Sequence, residues 1–127
     1  MTFLFDTNIF LEILLDQNKK DICKKLLNDH FGNIYISDFS LHSIGVILLK
    51  QKKLKVFDQF LKDILPHSTI LSLSKEKYSE ITGFASKYKL DFDDAYQTLI
   101  AIEFETSIKT MDKDFTRISK IVQVEIL

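Results

Sequence analysis

Cysteine is nearly absent from the sequence: Cys23 is the only one. An internal disulfide is therefore impossible, and a zinc site built from several thiolates is excluded. Cys23 itself reads as a buried small residue rather than a nucleophile. Proline and glycine are almost as scarce, at one and three residues, which argues against a low-complexity or disordered chain. No glycine-rich phosphate loop exists, so P-loop and dinucleotide sites are disfavoured. No G-x-S-x-G elbow exists, which argues against a serine hydrolase. Neither sign of charge dominates: 17 Lys and Arg stand against 18 Asp and Glu, a net charge of -1. A chain that held nucleic acid by bulk charge would be more basic. Any such ligand needs a local basic patch, metal ions or a partner. No apolar run approaches the ~20 residues of a membrane span. The opening TFLFDTNIF has no basic leader and no small-residue cleavage site, so it does not read as a signal peptide. A soluble, cytoplasmic protein is the expectation.

What is present is a core. Hydrophobic residues make up 46% of the 127, with 11 Phe to fill an interior, and the length fits one domain spanning 1–127. The pattern alternates. Thr2 to Phe5 predicts a strand, followed by a helix with Ile9, Phe10, Ile13 and Leu14 on its apolar side. Lys20 to His30 predicts a second helix, and Phe31-Gly32-Asn33 a break. Ile34 to Ile36 predicts the second strand. Ser37-Asp38 offers a cap for a helix carrying Leu41, Ile44, Ile47 and Leu48. After a charged turn over Lys50 to Lys55, an amphipathic helix from Val56 to Leu65 ends at Pro66. Thr69 to Leu73 predicts a third strand, and Ser74 caps a helix to about Lys89 with Tyr78, Ile81, Phe84 and Ala85 inward. Asp91 opens a helix with Ala95, Leu99 and Ile102 as its stripe. Ser107 to Thr110, a turn over Asp112 to Ile118, and Val122 to Ile126 complete the chain. Strands separated by helices imply a mostly parallel sheet of four to five strands, sandwiched between two helical layers.

Chemistry in such sheets gathers beyond the carboxyl ends of the strands. Acids sit there repeatedly. Asp6 follows the first strand, Asp38 the second, and Asp112 and Asp114 the fourth; Asp91, Asp93 and Asp94 open the helix before that strand. Carboxylates brought together repel unless a cation lies among them, and hard oxygen ligands suit Mg²⁺ or Mn²⁺. The plain alternative is capping: Asp is a favoured N-cap, and Asp91 with Asp94 three positions on resembles a capping box. The histidines at 30, 42 and 67 are scattered and lack metal-ligand spacing. Lys52, Lys53 and Lys55 read as a solvated turn, with a phosphate contact as the alternative. Lys109, Lys113, Arg117 and Lys120 lie close to the last acids and are equally suited to phosphate or to water. Glu12 reads as exposed.

Four blocks, FDTNIFLEIL, YISDFSLHSIGVIL, LDFDDAYQTLIA and IKTMDKDFTRI, together resemble the PIN domain, the fold of VapC-type toxins, over nearly the whole chain. The resemblance implies a PIN-like three-layer α/β/α sandwich and a Mg²⁺- or Mn²⁺-dependent endoribonuclease, in many cases a homodimeric toxin neutralised by an antitoxin. It implies that Asp6, Asp94 and Asp112 hold the metal, with Asp114 joining them in catalysis. Asn8, Thr110, Lys113 and Arg117 become the candidate substrate contacts. One departure stands out. The family usually carries a glutamate in the helix after the second strand, and here that position is Ser43, with Asp38 the nearest acid as a partial substitute. A missing carboxylate predicts weaker metal binding. The alternative function is therefore a weakened or inactive PIN-like module that binds RNA or protein. An acid-dependent phosphotransfer domain fits worse: such phosphatases want D-x-D after the first strand where this chain has Asp6-Thr7-Asn8, and Leu73-Ser74 offers no receiver aspartate.

Overall fold

The computed structural model describes residues 2–127. Its strands are β1 (Phe3–Phe5), β2 (Ile34–Ser37), β3 (Ser68–Leu71), β4 (Ser107–Thr110) and β5 (Val124–Ile126). They form one sheet in the order β3-β2-β1-β4-β5, and every neighbouring pair is parallel. The helices are α1 (Thr7–Leu14), α2 (Lys20–Asp29), α3 (Asp38–Lys50), α4 (Leu54–Asp63), α5 (Ile81–Tyr88) and α6 (Phe92–Phe104). The α/β/α sandwich expected from the pattern is the architecture observed. None of its helices is long and apolar enough to cross a membrane.

Alternation along the strands divides the interior in two. In β1, Leu4 and Phe5 are both fully buried but point to opposite faces of the sheet. Leu4 joins Ile108, Leu99, Ile100, Phe115 and Ile118 on the side of α5 and α6. Phe5 joins Ile9, Phe10, Ile34, Ile36, Ile44 and Leu48 on the side of α1 to α4. The chain builds outward from β1 to β2 and β3, then returns to the other flank of β1 with β4. The strand order thus reverses between β1 and β4, where a crevice opens at the carboxyl edge. Asp6 sits at that point, its N–H donating to the Lys109 carbonyl at 2.9 Å.

The structure corrects several expected elements. The helix expected over 74–89 is a 3₁₀ stretch, Lys75–Glu80, followed by α5. The cause is local. Ser74 makes no cap bond to its own helix; its N–H and hydroxyl both go to the Glu103 carboxylate on α6. Tyr78, expected inward, is 47% exposed as a result. β3 ends at Leu71 rather than Leu73, because the Leu73 N–H leaves the sheet to donate to the Tyr96 hydroxyl. β5 begins at Val124, since the Val122 N–H still closes the preceding turn onto the Ile118 carbonyl. In α6, Ile102 lies on the surface while Tyr96, Ile100 and Ala101 are buried. Every residue from Asp94 to Ala101 is buried, so this helix is wrapped on all sides and its periodicity conceals which face matters.

Candidate metal centre

Four carboxylates meet at the crevice. Asp6, Asp93, Asp94 and Asp112 line one recess of about 210 Å³, together with Thr7, Asn8, Leu11, Phe39, Ser43 and Ile47. Side-chain oxygens of Asp94, Asp112 and Asp114 lie within 4.8 Å of one another, and so do those of Asp91, Asp93 and Asp94. Residues distant in sequence converge because β1 and β4 are neighbours and end at the same edge, while α6 aims its amino terminus at that edge.

Asp6 is held on three sides. Its Oδ1 accepts from the Thr7 N–H and the Gln97 amide, each at 2.8 Å, and its Oδ2 accepts from the Thr110 hydroxyl at 2.7 Å. Gln97 is itself fixed: its carbonyl accepts from the Ser40 hydroxyl at 3.0 Å, and Ser40 also bonds Thr7 and Ser37. This buried relay ties α3 and α6 to the carboxylate that closes β1. Burial pushes the Asp6 carboxyl above its ordinary value, with Asp93 adding to the rise; the donors from Thr110, Gln97 and Thr7 work against it.

Asp94 has the opposite surroundings. It is 4% exposed, and among the described residues no donor reaches its carboxylate. Burial and then the charges of Asp93, Asp6, Asp112 and Asp91 push its pKa up to about 8. A buried carboxylate facing other carboxylates, without a lysine or arginine on the recess wall, is an environment that a hard divalent cation satisfies. The donor set fits such an ion.

The capping explanation covers part of the acids only. Asp6 and Asp112 do cap, each accepting from an N–H just ahead. Asp91 stands at the N-cap of α6 but its side chain makes no cap bond, so the capping box read there is absent. Asp114 lies outside the recess wall: its N–H donates to Asp112 Oδ1 at 2.9 Å, and its carboxylate meets Arg117 at 3.3 Å.

Other candidates fall in different places. Asn8 is exposed on the recess wall, and Lys113, which follows Asp112 in sequence, is exposed. Thr110, expected as a substrate contact, lies against Asp6. It is fully buried, and its hydroxyl serves Asp6 while accepting from the Asp112 N–H at 2.9 Å. Arg117 donates to the Lys89 carbonyl as well as meeting Asp114, so its guanidinium is already engaged. Lys109 is unavailable to phosphate: it is 8% exposed, paired with Glu125 at 3.1 Å and stacked over Phe3. Asp38 does not line the acid recess; its Oδ1 accepts from the Phe39 N–H and the Tyr96 hydroxyl. Ser43 does line the recess. Glu12 is half-buried and accepts from the Lys19 N–H.

Sequence reasoning missed Gln97, Ser40 and the placement of Asp93 on the recess wall. The available signal was Gln97-Thr98 inside the otherwise apolar run AYQTLIAI, where polar residues in a buried helix need partners.

Comparison with known proteins agrees with this fold. The family model for the PIN domain matches residues 3–121. The fold is similar to a toxin-antitoxin complex from Klebsiella pneumoniae, at 23% identity over 98% of this chain and 96% of that one, with a TM-score of 0.76. It is similar to VapBC2 from Rickettsia felis, solved bound to a DNA fragment from its promoter, at 20% identity over 99% and 98% of the two chains and a TM-score of 0.76. It is also similar to FitAcB from Neisseria gonorrhoeae, at 23% identity over 97% and 96%, with a TM-score of 0.70. No curated protein matches it by sequence.

Proposed function

Because the chain belongs to the PIN domain family, we propose that it is a divalent-metal-dependent endoribonuclease. It acts as the toxin of a toxin-antitoxin pair, as a cytoplasmic homodimer folded as one domain over residues 1–127. The observation that supports this reading most is the Asp94 carboxylate: buried, without a donor, and ringed by three further acids on one wall. Asp6, Asp94 and Asp112 would hold Mg²⁺ or Mn²⁺, with Asp93 and Asp114 alongside. An ion bound there would neutralise charge on a phosphate and make a nearby water more acidic. The protein's own part is positioning. Thr7, Gln97 and Thr110 fix the orientation of the Asp6 carboxyl group. Asp114 holds Arg117 at the rim, and Asn8 and exposed Lys113 are the side chains left free to touch RNA. Hydrolysis adds water across a phosphodiester: the attacking oxygen bonds to phosphorus, the leaving ribose oxygen departs, and that oxygen takes a proton.

The toxin role draws support from the toxin-antitoxin complexes that share this fold. A separate apolar groove of about 220 Å³ between α1, α2 and α4, lined by Phe10, Ile13, Leu14, Leu27 and Phe60 among others, suits an apolar segment of an antitoxin.

The test is cleavage of RNA in Mg²⁺ or Mn²⁺ by the wild type, Asp6→Asn and Asp94→Asn. Cleavage by the wild type and its loss in both variants is the expected outcome; equal activity in all three removes the mechanism. Ser43 favours a second reading, in which the recess binds metal too weakly for catalysis and the domain only binds RNA or protein. Calorimetric titration with Mn²⁺ separates the two, since no heat above the buffer control selects the binding module.

A further inference from the structure

A second recess adjoins the acids, and nothing in the proposed hydrolysis uses it. It measures about 170 Å³ and is lined by Asp38, Phe39, His42, Tyr78, Phe92 and Tyr96. Phe39 is a wall of both recesses. Chain continuity joins them again at Phe92, whose next two residues, Asp93 and Asp94, line the acid side. The aromatic rings form a layered platform: Phe92 lies nearly parallel to Tyr96, centroids 5.8 Å apart and planes 13° apart, with Phe39 tilted against both at 6.2 and 6.3 Å. Phe92 is 50% exposed and Tyr78 47%, although each belongs to a chain with ample apolar interior.

Resting on the ribonuclease reading, we propose that this recess is the base-binding subsite, which stacks one unpaired nucleobase next to the phosphate held at the acids. Flat aromatic faces bind any base, and their use does not depend on net positive charge. That matters in a chain of net charge -1, with Lys109 and Arg117 already engaged. The recess rejects the backbone itself. None of its six lining residues is a lysine or arginine, and the Asp38 carboxylate, pinned by the Phe39 N–H and the Tyr96 hydroxyl, repels phosphate. A base within a duplex is stacked and paired and cannot enter, so the substrate is single-stranded RNA or an unpaired loop.

The experiment uses the full chain with Ca²⁺ in place of Mg²⁺ or Mn²⁺, a hard divalent ion for the same carboxylates, and a single-stranded oligoribonucleotide carrying 2-aminopurine that is checked to be intact on a gel. Base stacking quenches the probe. Quenching on binding is expected for the wild type. Phe92→Ala should lose about tenfold or more in affinity, Phe92→Trp should restore it, and Tyr78→Ala should weaken it. The same oligonucleotide annealed to its complement should show no dependence on Phe92. Unaltered affinity and quenching in Phe92→Ala would overturn the subsite even if the enzyme cleaves RNA in Mn²⁺. Quenching without any Mn²⁺-dependent cleavage would retain the subsite and remove the nuclease. Should Phe92→Ala instead turn a dimer into monomers with oligonucleotide affinity intact, the platform is a contact with a second copy of the chain and the proposal fails.

Discussion

Stripping divalent metal from the protein should make its stability depend on pH in a way set by Asp94. In the unfolded chain this carboxyl ionises near its ordinary value of 3.8; in the fold, burial and the neighbouring acids raise it to about 8. Between those values the folded state binds more protons than the unfolded state. Stability is therefore fully present below about pH 4 and is lost as pH rises through about 8. At about 1.4 kcal/mol per tenfold change in proton affinity, the gap caps the loss near ~6 kcal/mol. The recess opens to water, and solvent screening brings the effect down to about 2 kcal/mol. For a domain of this size that is a fall in Tm of roughly 8 °C. Thermal melts in EDTA at pH 5 and pH 8 measure it. Asp94→Asn should lose most of the pH dependence, and Mn²⁺ added at pH 8 should raise the wild-type Tm with little effect on the variant. If wild type and variant show the same pH slope in EDTA, or if Mn²⁺ leaves the wild-type Tm unmoved, the electrostatic account of the recess is wrong.

Three further outcomes follow from the same geometry. Gln97→Leu removes a donor from Asp6 and an acceptor from Ser40 inside the fold; urea unfolding should show a loss of about 1–3 kcal/mol, and calorimetry a weaker Mn²⁺ site. Ser43→Glu returns an acid to the recess wall and should tighten Mn²⁺ binding several-fold at neutral pH, while lowering the metal-free Tm at pH 8; an unchanged Mn²⁺ affinity would show that the side chain at 43 does not reach the ion. Glu105 ends α6 in the left-handed region at φ 54° and is exposed; Glu105→Gly relieves that strain and should stabilise the protein by about 0.5–1 kcal/mol in urea unfolding.

Much of this site could be read before any coordinates. Asp6 follows β1 directly and Asp112 follows β4 after one residue, and a parallel sheet brings strand ends to one edge, so their meeting required only the strand pattern. Asp94 was readable from its block of sequence, though not from periodicity. Its support was hidden for a physical reason: α6 is buried on every side, so Gln97 looks like a polar residue on a solvated face until its partners Asp6 and Ser40 are in place. Thr110 is a candidate only through the family resemblance, and its hydrogen bond to Asp6 is set by its place at the end of β4, which pattern alone does not show. The helix start at Ser74 was misplaced because local capping rules cannot see Glu103, which takes both of its donors from 29 residues away.

The division of labour between Asp6 and Asp94 bears on whether the serine at 43 disables the site. Asp6 receives three donors and Asp94 none, although both are 4% exposed. Donors favour the charged form of a carboxylate and occupy its lone pairs, whereas an unassisted buried carboxylate stays costly until a cation arrives. The fold has therefore stabilised one acid as a fixed wall and left the other in need of an ion. Asp93 enters the same recess from the first turn of α6, so four carboxylates line it without any contribution from position 43. Negative charge at the crevice is maintained from the α6 side instead of the α3 side. That shift leaves the α3 wall of the acid recess, Phe39, Ser43 and Ile47, free of charge.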